Sequence, residues 1–374
     1  MKIEAVREDV LEALQKVQSA VPLKSALPIL SSLMMEAKGG AVTMFATDLD
    51  MGIAVPLKAS VKEEGAITVP ARRFMDIVKE MPASGSLRIS EKKDGIVAVA
   101  CSKILFRIRC EPKENFPTIP KFKIEGAVTI SQESFKGMIS MTEFAMSDDE
   151  ARYVLNGELL VIGGKSVTMA ATDGRRLAVM KKKTAGGAEK KVILQAKAVR
   201  ELGKMLGDEG DVSISFGDNQ VRFDFGGASL VSRLIEGDFP DYESVIPDEM
   251  KEKATVGREA LLAAMRRAAV LASIDSAAVS VVVSKGRMEV FKSEPNIGEV
   301  REDIKVGYDG AKITVGFNPR YIIDGLKCMN AESVGLEIGG EDKPCVMCRD
   351  TEYVYVILPM QIAQEPAKAT AAKE

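Results

Sequence analysis

The 374-residue chain predicts an α+β protein made of three successive repeats, each combining antiparallel sheet with two helices. Three observations carry that prediction. A helical motif recurs: ITVPARRFMDIVKEMP over 67–82 is echoed by VILQAKAVRELGKMLG over 192–207 and by ITVGFNPRYIIDGLKCM over 313–329. FATDLDMGIAV, with Thr47, returns as AATDGRRLAVM, with Thr172. ENFPTIP, with Phe116, returns as GDFPDYESVIP, with Phe239. Three separate anchors share one period of about a third of the chain. That period divides the chain into domains 1–125, 126–250 and 251–362, followed by a polar tail, 363–374, with no periodicity.

Within each repeat the apolar spacing places the elements in turn. A first helix over 7–20 rests on Val10, Leu11, Leu14 and Val17, and a second over 71–82 on Phe74, Ile77, Val78 and Met81. Steps of three and four put such residues on one helical face. In the second repeat the same stripe appears as Phe135, Met138, Ile139 and Thr142 (132–146), then Val199, Leu202 and Leu206 (196–207). In the third it appears as Leu261, Leu262, Met265 and Ala268 (257–274), then Ile322, Ile323, Leu326 and Met329 (318–329). Between the helices lie alternating runs, AVTMFAT, VSISF, VRFDF, VSVVV and YVYVIL, separated by Gly, Asp and Asn pairs that suit hairpins. MKKKTAGGAEKK over 180–191 reads as a basic surface loop between two strands.

Composition excludes several function classes. The chain has no His and no Trp, which removes the commonest general base and zinc ligand and with them His-dependent nucleophilic triads. Five Cys, odd in number and sparse, suit a reducing compartment, and Cys345 and Cys348 read as strand residues because a metal site would need further ligands. The start MKIEAVREDV lacks the pattern of a secretory signal and no run of about 18 apolar residues exists, so the expectation is a cytoplasmic protein with no membrane partner. GGKS over 163–166 lacks the earlier Gly of a phosphate-binding loop and lies between strands. The carboxylates Asp48, Asp50, Asp148, Asp149 and Asp173 keep a metal-dependent phosphodiesterase or nuclease as the alternative, although Asp48 and Asp173 are equivalent repeat positions where an Asx turn suffices.

LPILSSLMMEA (27–37), TDLD, FPTIP, ARYVLNGELL (151–160), ATDGRRLAV, SRLIEGDFPDYESVIP (232–247) and YVYVILPMQI (353–362) together resemble the bacterial sliding-clamp family, the beta subunits of DNA polymerase III. The resemblance implies three clamp domains with sheets outside and two helices per domain inside. It also implies a head-to-tail homodimeric ring around double-stranded DNA, without cofactor or catalysis, that tethers the replicative polymerase and confers processivity. The DNA-facing positions it implies are Lys24, Arg73, Arg152, Tyr153, Lys197, Arg200 and Lys204. Polymerase, clamp loader and repair proteins would dock short linear motifs in a groove of Leu155, Thr172, Gly174, Arg175, Leu177, Pro240, Val245, Val356, Leu358, Pro359 and Met360. Ring closure would pair Phe106 and Ile108 with Val270 and Leu271, with Arg107 and Arg109 facing the acidic stretch EPNIGEVRED over 294–303.

Charge distribution fits an inner basic wall. The formal net charge is -3, yet the six expected helices hold 14 Lys+Arg against 10 Asp+Glu, leaving 37 against 44 elsewhere. A weakly positive lining attracts phosphates without reading bases.

Overall fold

The computed structural model describes residues 1–117, 125–149, 151–184, 186, 189–248, 252–273 and 277–362. The tail 363–374 lies outside the described residues. All six expected helices form, as α1 (Arg7–Val17), α2 (Ala71–Glu80), α3 (Gln132–Thr142), α4 (Ala196–Met205), α5 (Arg258–Ala269) and α6 (Pro319–Cys328). They end one to five residues earlier than expected: α1 and α3 tighten into the 3-10 segments Gln18–Ala20 and Glu143–Ala145. The anticipated stripes face inward, with Val10, Phe74, Met138, Leu202, Met265 and Leu326 fully buried. Among the described residues two compact units emerge, the first within 1–136, 162–165 and 184–236, the second within 137–161, 166–183 and 237–362.

In the first unit a five-stranded sheet runs in the order Ala59–Glu63, Lys2–Val6, Ser86–Glu91, Ile96–Cys101, Ile104–Arg109. A second antiparallel array pairs Ser32–Lys38 with Ala41–Thr47 and Gly65–Pro70, continues through Met51–Leu57 and passes to Ala228–Ile235 and Gln220–Phe225. The pairing of Ser229 with Ala54 and Ser232 with Met51 therefore joins strands of two different repeats.

The second unit carries α5 and α6 against antiparallel strands. Val279–Ser284 lies between Ile313–Phe317 and Arg287–Glu294. Ser333–Ile338 pairs with Lys253–Gly257 and Cys345–Arg349, and Tyr353–Ile357 bridges Cys345–Arg349 to Arg176–Lys183. Cys345 and Cys348 are strand residues as expected, both with free thiols. Burial raises Cys345 to about 12, so its thiol is protonated near neutrality. The expected loop 180–191 is shorter than anticipated: one strand runs to Lys183, the next begins at Lys190, and residues 185, 187 and 188 lie outside the described set.

The repeat extends to individual hydrogen bonds. The first residue of each leading helix reaches the carboxyl end of its repeat's second helix, where carbonyls lack intrahelical donors. Arg7 donates from Nε to the Val78 carbonyl (2.9 Å) and from Nη2 to that of Lys79 (2.7 Å). Arg258 donates from Nε to the Leu326 carbonyl (2.8 Å). At the middle position Gln132 does related work, its Oε1 accepting from the Gly207 N–H (3.0 Å) and its Nε2 donating to the Glu209 carbonyl (2.8 Å). A cation at a helix carboxyl end also complements the macrodipole.

Candidate functional site

A cleft of about 170 Å³ opens in the second unit, and the sequence motif TDGRRL builds one wall of it. Thr172 ends a strand and accepts the Gly174 N–H on Oγ1 (3.0 Å) while donating from the same hydroxyl to the Arg176 carbonyl (2.6 Å). Asp173 Oδ1 accepts the N–H groups of Arg175 (2.9 Å) and Arg176 (3.0 Å), an Asx turn that needs Gly174 at φ +82°. Carboxylate and hydroxyl here shape the turn, as expected from the repeat. Leu177 is buried beyond it, and Val356 on the neighbouring strand stands opposite Leu177 in register. The Leu358 N–H donates to the Arg175 carbonyl (2.9 Å), which carries the chain past the cleft mouth.

The Arg176 guanidinium pins this wall from behind. It meets Asp173 at 3.0 Å and Asp324 at 2.8 Å, and lies over the rings of Tyr321 (4.6 Å) and Phe144 (5.5 Å). Burial opposes its charge, but Tyr355, Asp324 and Asp173 more than offset that and hold its pKa above the ordinary value. Tyr355 donates from its hydroxyl to the Tyr321 carbonyl (2.9 Å) and stands edge-on to Phe144. Arg176, Asp241 and Tyr242 line the cleft without having been anticipated from sequence; the RR pair in TDGRRL was the signal available for the first.

Nine of the eleven expected groove residues line this cleft: Leu155, Thr172, Gly174, Arg175, Leu177, Pro240, Val245, Val356 and Leu358. Pro359 and Met360 do not. Met360 instead donates its N–H to the Gly316 carbonyl (2.8 Å) and lines a separate cavity of about 790 Å³ with Phe291, Arg301 and Thr314. Its pairing with Gly316 turns it away from the strand that carries Leu177.

All seven expected nucleic-acid contacts are exposed. Lys24, Arg73, Lys197, Arg200 and Lys204 are exposed, the last three along one face of α4. Lys197 is ion-paired with Asp48, and Lys204 with Glu201 at 2.7 Å. Tyr153 is exposed on a 3-10 turn, and so is its neighbour Arg152, whose Nη1 donates to the Asp173 carbonyl (2.7 Å) while Nε lies 3.6 Å from Asp149. Arg152 thus braces the cleft turn.

At the expected ring-closing surface, Phe106 is exposed on the edge strand Ile104–Arg109, with Ile104 and Leu105 beside it. Ile108 is a correction, buried in the first unit at 8 % exposure. Val270 is 81 % exposed at the end of α5 and Leu271 is half-buried. In the acidic stretch, Glu302 already pairs with Arg267 (2.5 Å) and Asp303 with Arg287 (2.7 Å).

Known proteins match this arrangement along nearly its whole length. Family models for the DNA polymerase III beta subunit match as the N-terminal domain over 1–120, the central domain over 129–241 and the C-terminal domain over 243–361. The beta sliding clamp of Vibrio cholerae is 31% identical over 368 residues, covering 97% of this chain and 100% of its own. That of Chlamydia pneumoniae is 30% identical over 367 residues, with 97% and 99% covered. A solved sliding clamp from Pseudomonas aeruginosa, bound to griselimycin, superposes with a TM-score of 0.91 at 29% identity, covering 97% of this chain and 100% of that one. The DNA polymerase III beta subunit of Thermotoga maritima gives 0.89 at 25% with the same coverage.

Proposed function

The chain belongs to the DNA polymerase III beta-subunit family, the beta sliding clamps, and we propose that two copies close head to tail around duplex DNA and recruit their clients through the cleft beside Leu177. It has the three-domain clamp fold and serves DNA replication as a polymerase's processivity factor rather than as a catalyst. In this reading the repeats 1–125, 126–250 and 251–362 are the three domains, and the protein works in the cytoplasm.

The observation that carries the docking reading is the assembly of nine expected residues, from segments far apart in sequence, into one apolar-walled cleft. Aliphatic walls with a few fixed polar groups suit short linear motifs of polymerase, clamp loader and repair proteins. Holding DNA requires no base contact. The six helices carry 14 Lys+Arg against 9 Asp+Glu within their observed bounds, so they remain net positive in a chain of formal charge -3. Exposed Lys24, Arg73, Arg152, Tyr153, Lys197, Arg200 and Lys204 are the proposed backbone contacts, with Lys197 partly neutralised by Asp48, Lys204 by Glu201 and Arg152 by Asp149.

The test of docking uses exposed wall residues, because truncating buried Leu177 would itself cost about 2–5 kcal/mol of stability. Val245 and Leu358 are 53 % and 40 % exposed. Val245→Ala with Leu358→Ala is expected to weaken a clamp-binding polymerase peptide by about 30-fold or more, with the melting temperature and oligomeric mass unchanged. Unchanged peptide affinity would remove the docking assignment. Loader-dependent retention on nicked circular DNA, lost on linear DNA, tests enclosure; cleavage of DNA with a divalent metal would instead favour a nuclease.

A further inference from the structure

The 3-10 turn Tyr153–Leu155 links two of the segments that line the cleft and supplies a third lining residue itself. Arg152, just before it, donates from Nη1 to the Asp173 carbonyl (2.7 Å), and Gly174 admits that guanidinium because it has no side chain: a Cβ there would stand 2.8 Å from Nη1. Val154 reaches the segment that carries Pro240 and Val245, where a Cβ on Gly237 would stand 2.9 Å from its Cγ1. Leu155 faces the cleft and is tied at both ends of its peptide. Its N–H donates to the Arg152 carbonyl (2.8 Å) and its carbonyl accepts from the Ser147 N–H (2.9 Å). Among these residues Tyr153 stands 59 % exposed, and no residue of 152–156 is buried. An element with so little buried side chain shifts at low cost, so a contact on its exposed face has leverage on what it holds.

We propose that this turn couples the two binding functions: duplex DNA held against Arg152 and Tyr153 fixes the turn, and the fixed turn holds the cleft ready for a client motif. Arg152 and Val154 are then positioning residues of the cleft. This rests on the DNA and docking readings above and goes beyond both, since neither requires one site to respond to the other. A phosphate beside the Arg152 guanidinium forms a charge-assisted bond and restricts the side chain that already holds the Asp173 carbonyl. Asp149, 3.6 Å from Nε on an exposed surface, competes for that charge and keeps the effect modest. A cleft ordered in this way takes up a peptide with a smaller loss of conformational entropy, which is positive coupling without new contacts. Linkage makes the effect reciprocal, so a bound client motif tightens the hold on DNA by the same factor.

The experiment uses the full chain, a fluorescein-labelled clamp-binding polymerase peptide and a short primed duplex at low salt. Polarisation titrations are expected to show peptide binding about threefold to tenfold tighter at saturating DNA than without it, and the reverse titration the same factor for DNA. Val154→Ala belongs to neither contact set, yet it should bring that factor below about twofold. Arg152→Gln should do the same and weaken DNA-free peptide binding about threefold, through loss of the bond to Asp173. Arg73→Gln is the control, expected to lower DNA affinity but to keep the wild-type factor once DNA is saturating. Equal or weaker peptide binding on DNA in the wild type overturns the coupling and leaves docking and enclosure in place, as does a wild-type factor in both turn variants. A wild type that binds only the peptide, or only DNA, overturns the reading of the silent site and the coupling with it. Melting curves separate lost coupling from lost fold, and the Arg152 variant is expected to melt as the wild type does because the residue is exposed.

Discussion

At the scale of single residues the outlier is Glu158, whose carboxyl is fully buried with both oxygens lacking a hydrogen-bond partner. Burial raises it from 4.5 to about 8, with Thr142 pulling downward and Glu143 pushing further up. Its folded pKa lies above the unfolded one, so the native state holds an extra proton between those values. Stability is therefore full below about pH 4.5 and falls as pH rises through about 8, by up to about 1.4 kcal/mol per pH unit in that window. Glu158→Gln should flatten this slope, raising the urea midpoint at pH 8.5 while changing it little at pH 5; parallel pH profiles for the two proteins would sink the assignment. Nothing in ARYVLNGELL distinguished Glu158 from an exposed strand residue, because its burial depends on Thr142 and the turn beside it. The same limit explains Met360: Leu358 and Met360 share a parity, but the first pairs with Arg175 and the second with Gly316, and a sequence pattern reports parity rather than partner.

Elements were far more legible than single contacts, because a helical stripe such as Phe135, Met138, Ile139 is decided by spacing within one segment. The turns between strands show what repetition adds. Thr47, Asp48 and Leu49 reproduce the bonds of Thr172, Asp173 and Gly174: Thr47 Oγ1 accepts the Leu49 N–H (3.0 Å) and Asp48 Oδ1 accepts the Met51 N–H (2.7 Å). The third position has φ +81° in one and +82° in the other, so the first copy forces a leucine into the left-handed region that its counterpart fills with glycine. Leu49 is 46 % exposed and loses little packing on truncation. Leu49→Gly should thus stabilise the protein by about 1 kcal/mol in urea unfolding, the reverse of the usual cost of introducing glycine. A decrease in midpoint would mean that the exposed side chain contributes more than the backbone conformation costs.

For the whole molecule, the decisive feature is an edge strand that, among the described residues, pairs on one side only. Ile104–Arg109 closes the five-stranded sheet on one side only, and Ile104, Leu105 and Phe106 are 38 %, 49 % and 39 % exposed along it. Natural proteins cover or interrupt apolar edges of this kind, because an open edge templates uncontrolled pairing. The proposed head-to-tail closure covers it with a different surface of the second copy, around Val270 and Leu271, and a heterologous contact that closes gives a ring rather than a filament. Sequence alternation suggested that Phe106 and Ile108 act together, but Ile108 belongs to the core, so the proposed contact surface is the run 104–106. The charged rim is weaker than the sequence implied, since Glu302 and Asp303 are already paired with Arg267 and Arg287. Two consequences separate apolar closure from ionic closure. Leu105→Glu with Phe106→Asp should shift the sedimentation mass from twice 40.3 kDa to 40.3 kDa and abolish retention on nicked circular DNA. Peptide affinity should stay as in wild type, because the cleft lies wholly in the second unit. Raising salt from about 0.05 to 0.5 M should change the wild-type dimer constant by less than about tenfold, as screening acts mainly on exposed charge pairs; a steep salt dependence, or a double variant that remains dimeric, would place the closing contact elsewhere.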